Sequence, residues 1–216
     1  MMKTFFALFS LILILEDNPD PLRFKDEINT YIESDKSNPP PEGCYLFIGS
    51  SSMRMWKSLQ EDFPGYPVIN RGFGGSHFSD AIYYFNDLVL AYNPKKIIIY
   101  EGDNDIASSK SPKKIMKGLK TLLGLIRDNL DHPDIAIISA KPSPRRWNLK
   151  DKYENLNAKF ENLGSKSQDL TYIDVYTNML NDKGRPEPEL FLEDSLHMTG
   201  KGYMIWEKQI RPFIEK

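Results

Sequence analysis

The chain is poor in the residues from which metal sites and disulfide frameworks are built. Its 216 residues hold one cysteine, Cys44, and three histidines, His77, His132 and His197. A lone cysteine excludes an intrachain disulfide and a thiolate metal site. Cys44 opens the apolar run Cys44–Ile48, where a small buried hydrophobe is expected. The histidines lie far apart and belong to no metal-ligand spacing, so neither a metal nor a cofactor is expected. Charge of one sign is also missing: 28 Lys and Arg face 30 Asp and Glu, a net charge of -2 with the signs interspersed. That pattern excludes a nucleic-acid groove and an acidic tail. The one basic cluster, Lys113, Lys114, Lys117 and Lys120, alternates at helical spacing with Ile115, Leu119, Leu122, Leu123 and Ile126. Those lysines therefore occupy the solvated face of an amphipathic helix. Repeats, low-complexity tracts and interdomain linkers are absent.

The N-terminus carries the longest apolar stretch, which follows Met1-Met2-Lys3 and reaches Leu15 with only Thr4 and Ser10 intervening. A charged start and an apolar run of this length read as a secretory signal over residues 1–18. A secreted or periplasmic protein is the expectation. A cytoplasmic protein with an apolar first segment is the alternative, because Ile14-Leu15-Glu16 is no small-x-small cleavage site. The stretch falls short of the about 20 residues that span a bilayer. Residues 19–216 then form a single domain, a size that α/β folds commonly reach undivided.

Within that domain the pattern alternates strand and helix. Short apolar runs at Cys44–Ile48, Pro67–Asn70, Lys96–Tyr100, Ile135–Ala140 and Leu170–Val175 read as buried parallel strands. A first helix begins at Pro21 behind Asp20, a good cap and first-turn pair, and ends before Pro39-Pro40-Pro41. Apolar residues at three- and four-residue spacing predict further helices over Phe78–Tyr92, Pro112–Leu130, Leu149–Leu163 and Thr199–Ile214. The expected fold class is α/β: an open, mainly parallel five-stranded sheet with helices on both faces. Ligands bind at the carboxyl ends of such strands.

Four islands carry residues with chemistry. Gly49-Ser50-Ser51-Ser52, Asn70-Arg71-Gly72-Phe73-Gly74-Gly75 and Gly102-Asp103-Asn104-Asp105 each follow a predicted strand. Asp194-Ser195-Leu196-His197 precedes the last helix. The serines offer a nucleophile, or simply a capped turn. They lack the Gly-x-Ser-x-Gly elbow of the α/β-hydrolases. The glycines let backbone N–H groups approach a reacting carbonyl, and an Asn side chain supplies a further donor for a developing oxyanion. Glycines in a tight turn and an Asx turn are the plain structural readings of those two islands. Asp103 and Asp105 without further ligands are thin grounds for a cation site. Asp194 is the most specific signal, since a carboxylate three residues before a histidine can reach its ring N–H and fix the tautomer. His77 and His132 read as structural.

With all four islands in order, the chain resembles the SGNH, or GDSL-type, esterases and lipases over about residues 42–214. Within that family it is similar to platelet-activating-factor acetylhydrolase catalytic subunits. The eponymous Gly-Asp-Ser reads Gly49-Ser50-Ser51 here. The resemblance implies a three-layer α/β/α flavodoxin-like fold. It also implies Ser51 as nucleophile, Asp194 and His197 as its partners, and an oxyanion hole from Ser51, Gly75 and Asn104. The implied activity is hydrolysis of carboxylic esters without a cofactor, on a small-molecule substrate such as an acetylated sugar or short-chain lipid; with no lid-like insertion in the sequence, short-chain, acetyl-type esters are the expectation. Acyl transfer at the same site, or a non-catalytic glycan- or ester-binding module, are the alternatives. An intact triad argues against the module.

Overall fold

The computed structural model describes residues 18–216, so the apolar segment and its signal reading lie outside the described residues. Five parallel strands form one sheet in the order β2-β1-β3-β4-β5. They are β1 (Tyr45–Gly49), β2 (Val68–Gly72), β3 (Lys96–Tyr100), β4 (Asp134–Ile138) and β5 (Leu170–Ile173). The expected strands stand with ends moved by one or two residues. β1 starts at Tyr45 rather than Cys44, and β4 and β5 stop before Ala140 and Val175.

Side chains along the strands alternate between two cores, as a period of two requires. Leu46, Ile48, Ile97, Ile99, Ile135 and Ile137 face one apolar cluster. Phe47, Ile98, Tyr100, Ala136 and Ile138 face the other. Each such side chain contributes about 1.5–3 kcal/mol when fully buried, so neither face of the sheet tolerates solvent. The first cluster is covered by α1 (Lys25–Ser37), α4 (Phe78–Tyr83), α5 (Phe85–Leu88), α7 (Pro112–Asn129) and α8 (Lys150–Gly164). The second lies under the short turns α2 (Ser51–Arg54) and α3 (Leu59–Asp62) and the long C-terminal α9 (Gly200–Ile214). Another short helix, α6 (Asp103–Ala107), follows β3. The result is the three-layer α/β/α arrangement expected from the sequence.

One expected helix is divided. Phe78–Tyr92 is not continuous: α4 ends at Tyr83, α5 at Leu88, and a 3-10 turn covers Leu90–Tyr92. Tyr84 leaves the helical region (φ -92°, ψ 20°), and its hydroxyl donates to the Pro21 carbonyl at 3.0 Å. Phe78, Ile82, Phe85 and Val89 stay buried through the break, so the apolar spacing carries no trace of it.

Two long-range tethers set the layer that bears α9. Lys96, buried at the start of β3, donates to the carbonyls of Phe213 and Ile214 at 2.7 and 3.2 Å, closing the helix C-terminus. Tyr203, on the first turn, donates to the Ser52 carbonyl at 2.8 Å. Trp56 stacks on Tyr203 and meets Trp206 edge to face, with centroids 5.2 and 5.9 Å apart.

Candidate active site

Register brings the islands together. Gly49, the last residue of β1, pairs with Gly72 on one side and Tyr100 on the other. The loops after β1, β2 and β3 therefore leave the sheet side by side at its carboxyl edge. The backbone locks them there: Phe73 N–H donates to the Gly49 carbonyl at 2.8 Å, and Ser50 N–H to the Tyr100 carbonyl at 3.1 Å. Gly49 has to be glycine. Its φ is +147°, and a Cβ would lie 2.1 Å from the Tyr100 carbonyl oxygen.

Of the three serines, Ser51 faces the histidine. His197 Nε2 lies 2.9 Å from Ser51 Oγ. The Ser50 hydroxyl is buried, with no hydrogen-bond partner among the described residues, and Ser52 is buried with its carbonyl held by Tyr203. Ser51 opens the turn α2, which Asn70 clamps to β2 by donating from Nδ2 to the Met53 carbonyl at 2.7 Å while its Oδ1 accepts from Gly72 N–H. Asn70 thus holds the turn that Ser51 opens.

On the opposite loop, His197 Nδ1 lies 2.5 Å from Asp194 Oδ2. A carboxylate accepts only, so the proton sits on Nδ1 and Nε2 is free to accept from Ser51. The other carboxylate oxygen accepts from the N–H groups of Leu196 and His197, both at 2.9 Å, an Asx turn that shapes the loop. Partial burial would raise the Asp194 pKa, but the hydrogen bonds from the His197 ring and the two N–H groups outweigh it and hold the carboxyl at about 2. The loop is fixed from outside by Arg145 N–H on the Ser195 carbonyl (3.0 Å) and Lys141 Nζ on the Leu196 carbonyl (2.7 Å). Burial pulls the Lys141 ammonium down to about 8, against the pull of Asp103 and Asp194.

Asn104 lies at the third strand end. Its Nδ2 donates to the Ser76 carbonyl at 3.0 Å, leaving its second N–H without a partner among the described residues, and its Oδ1 accepts from Arg146 at 3.1 Å. Gly75, at φ +85° with open space around its Cα, precedes Ser76 on the exposed rim of the same loop. The Ser76 hydroxyl donates to buried Glu101 at 2.5 Å. Burial raises the Glu101 pKa well above its ordinary value, against the pull of the Ser76 hydrogen bond.

The two carboxylates flanking Asn104 are occupied by cations of this chain. Asp103 accepts from Arg146 at 2.6 Å, and Asp105 from Lys110 at 2.8 Å. Burial works against ionised Asp103, yet Lys141 and Arg146 hold its pKa below the usual value. Among the described residues no group of three or more His, Cys, Asp or Glu is arranged to hold a metal ion. His77, read as structural, is buried at the start of α4 with Lys110 Nζ 3.0 Å from its Nδ1.

Sequence reasoning missed Arg146, Lys141, Ser76 and Glu101. The first two lie after β4, in Lys141-Pro142-Ser143-Pro144-Arg145-Arg146, a strand-end loop at the same edge. That position was the available signal. A cleft of about 310 Å³ adjoins the histidine loop, walled by Pro144, Arg185, Phe191, Leu192 and Ser195.

Residues 47–205 match the model of the GDSL-like lipase/acylhydrolase family. The chain belongs to that family. Solved structures of the same fold include a Streptococcus pneumonia protein named for platelet activating factor (20% identity, 89% of this chain and 94% of that one, TM-score 0.79). A GDSL-like lipase from Bacteroides thetaiotaomicron is 23% identical over 87% of this chain and 97% of its own, with a TM-score of 0.74. A variant of an acetyl-xylooligosaccharide esterase from Geobacillus Stearmophilus is 15% identical over 82% and 96%, with a TM-score of 0.66. No curated protein matches the chain. This member of the GDSL-like acylhydrolases is an ester-hydrolysing enzyme by family. Among its described residues no helix is long and apolar enough to cross a membrane.

Proposed function

We propose that this acylhydrolase is a serine esterase for short-chain, acetyl-type esters. The observation that carries the reading is the line Ser51 Oγ–His197 Nε2 (2.9 Å)–His197 Nδ1–Asp194 Oδ2 (2.5 Å). Ser51 Oγ attacks the acyl carbon as its proton passes to His197 Nε2. Asp194 orients the ring and balances the imidazolium. The carbonyl oxygen, now negative, accepts from the N–H groups of Ser51 and Gly75 and from the second N–H of Asn104. His197 returns its proton to the departing alcohol, and a water activated by the same ring releases the acid.

The short-acyl reading rests on the sequence, which offers no amphipathic insertion to act as a lid. Each methylene contributes only about 0.8 kcal/mol, and only where a wall buries it. The fold likeness to an acetyl-xylooligosaccharide esterase makes acetylated sugars the first natural esters to offer. The test is a series of p-nitrophenyl esters from acetate to octanoate, assayed with the wild type and Ser51→Ala. Catalytic efficiency should peak between acetyl and butyryl and vanish in the variant. Efficiency that climbs steadily to octanoyl would sink the short-chain reading.

A further inference from the structure

Asn104 is a carboxamide, and a carboxamide can sit either way round. In one orientation it offers N–H groups to an oxyanion, in the other a carbonyl that would repel it. Two contacts settle the choice. Ser76 presents a carbonyl oxygen, which requires Nδ2 on its side. Arg146 presents only donors, which requires Oδ1 on the other. The guanidinium is itself held: its second nitrogen donates to Asp103 at 2.6 Å, and Asp103 also accepts from the Tyr153 hydroxyl. A planar fork fixed on one carboxylate has little freedom to leave its other acceptor. Its charge also draws electron density toward Oδ1, making the Asn104 N–H groups better donors.

From this geometry we propose that Arg146 is a positioning residue for the oxyanion donor Asn104, acting through the carboxamide and never touching the substrate. The inference rests on the oxyanion role proposed for Asn104. The oxyanion develops only in the transition state, so Arg146 governs kcat and leaves KM alone. Because it acts on turnover only through Asn104, its removal has no further effect on kcat once that side chain is gone.

The experiment is a double-mutant cycle with Arg146→Ala, Asn104→Ala and the pair, reading kcat and KM on p-nitrophenyl acetate. Asn104→Ala should lower kcat by about 10²–10³, the cost of one oxyanion donor, and Arg146→Ala should approach the same loss. KM should stay within about twofold in both, and the double variant should be no slower than Asn104→Ala alone. Losses that multiply in the double variant overturn the proposal. So does a raised KM with kcat preserved, which would make Arg146 a substrate contact. Wild-type kcat in Asn104→Ala would instead remove the oxyanion reading on which the proposal stands. Should Arg146→Ala fail to fold, the cycle runs with Arg146→Lys. That side chain keeps a cation beside Asp103 but has no fork for both acceptors. Its kcat should fall by roughly tenfold or more, short of the full loss of a donor; full kcat in Arg146→Lys overturns the proposal.

Discussion

Ser51 Oγ and His197 Nε2 meet at 2.9 Å although 146 residues of chain separate them. The meeting depends on α9 as much as on the two loops. Tyr203, six residues beyond His197, bonds the Ser52 carbonyl, so the histidine's helix and the serine's turn are tied together directly. Small errors in that tie would move the ring off the hydroxyl, and a misplacement of about 1 Å costs on the order of 10²-fold in rate.

Replacing either partner should abolish most turnover with little effect on folding. Ser51→Ala and His197→Ala are each expected to lose several orders of magnitude in kcat, and the double variant should be no worse, because such groups act as a unit. Labelling with a phosphonate ester followed by peptide mass spectrometry locates the nucleophile. An adduct on Ser50 or Ser52 would refute the assignment of Ser51.

Asp194 takes no part in the pH profile. Hydrogen bonds hold Asp194 at about 2, so it stays ionised throughout the range in which esterases are assayed. It should therefore add no inflection to kcat/KM in that range, and a carboxylate inflection there would show Asp194 titrating. Asp194→Asn, which leaves an amide against the ring and the wrong tautomer, should lower kcat by up to about 10⁴.

His77 gives the fold its own pH dependence. Burial, with Lys110 close by and only partly offset by Asp105, pulls its pKa from 6.5 to about 4. The unfolded chain therefore takes up a proton before the folded one does. Stability is unaffected above pH 6.5 and is lost as pH falls from 6.5 to 4, by about 3 kcal/mol at most. Urea melts across this window should show the wild type losing more of its own stability between pH 7 and pH 4.5 than His77→Gln does. Parallel curves would exclude a buried neutral His77.

Gly49→Ala should damage the fold rather than the chemistry alone. The added methyl would meet the Tyr100 carbonyl at 2.1 Å in a backbone region that side chains avoid. A loss of roughly 1–3 kcal/mol, the usual cost of overpacking, is the least expected. A thermal melt unchanged from the wild type would show that the strand end has room to adjust.

Much of this was legible in the sequence because it is local. Apolar runs and three-four spacing gave the strands and most helices. Asp194 and His197 lie three residues apart, so their contact is a property of one loop. Strand-end position marked the three loops that follow β1, β2 and β3, since a parallel sheet gathers the ends of its strands at one edge, and the family resemblance picked out Ser51, Gly75 and Asn104 within them. The break at Tyr84 left no sign, because apolar residues keep their spacing through it, and the Pro21 carbonyl that the Tyr84 hydroxyl reaches is 63 residues away.

Tertiary structure alone decided which serine faces the histidine, which way the Asn104 amide points, and that Arg146, Lys141 and Glu101 stand behind the site. Each of those outcomes rests on a hydrogen bond or ion pair between distant segments. A hydroxyl, an amide or a guanidinium has no preferred partner in sequence. It takes the partner that strand register and helix packing place within about 3 Å, and only the folded chain fixes that distance.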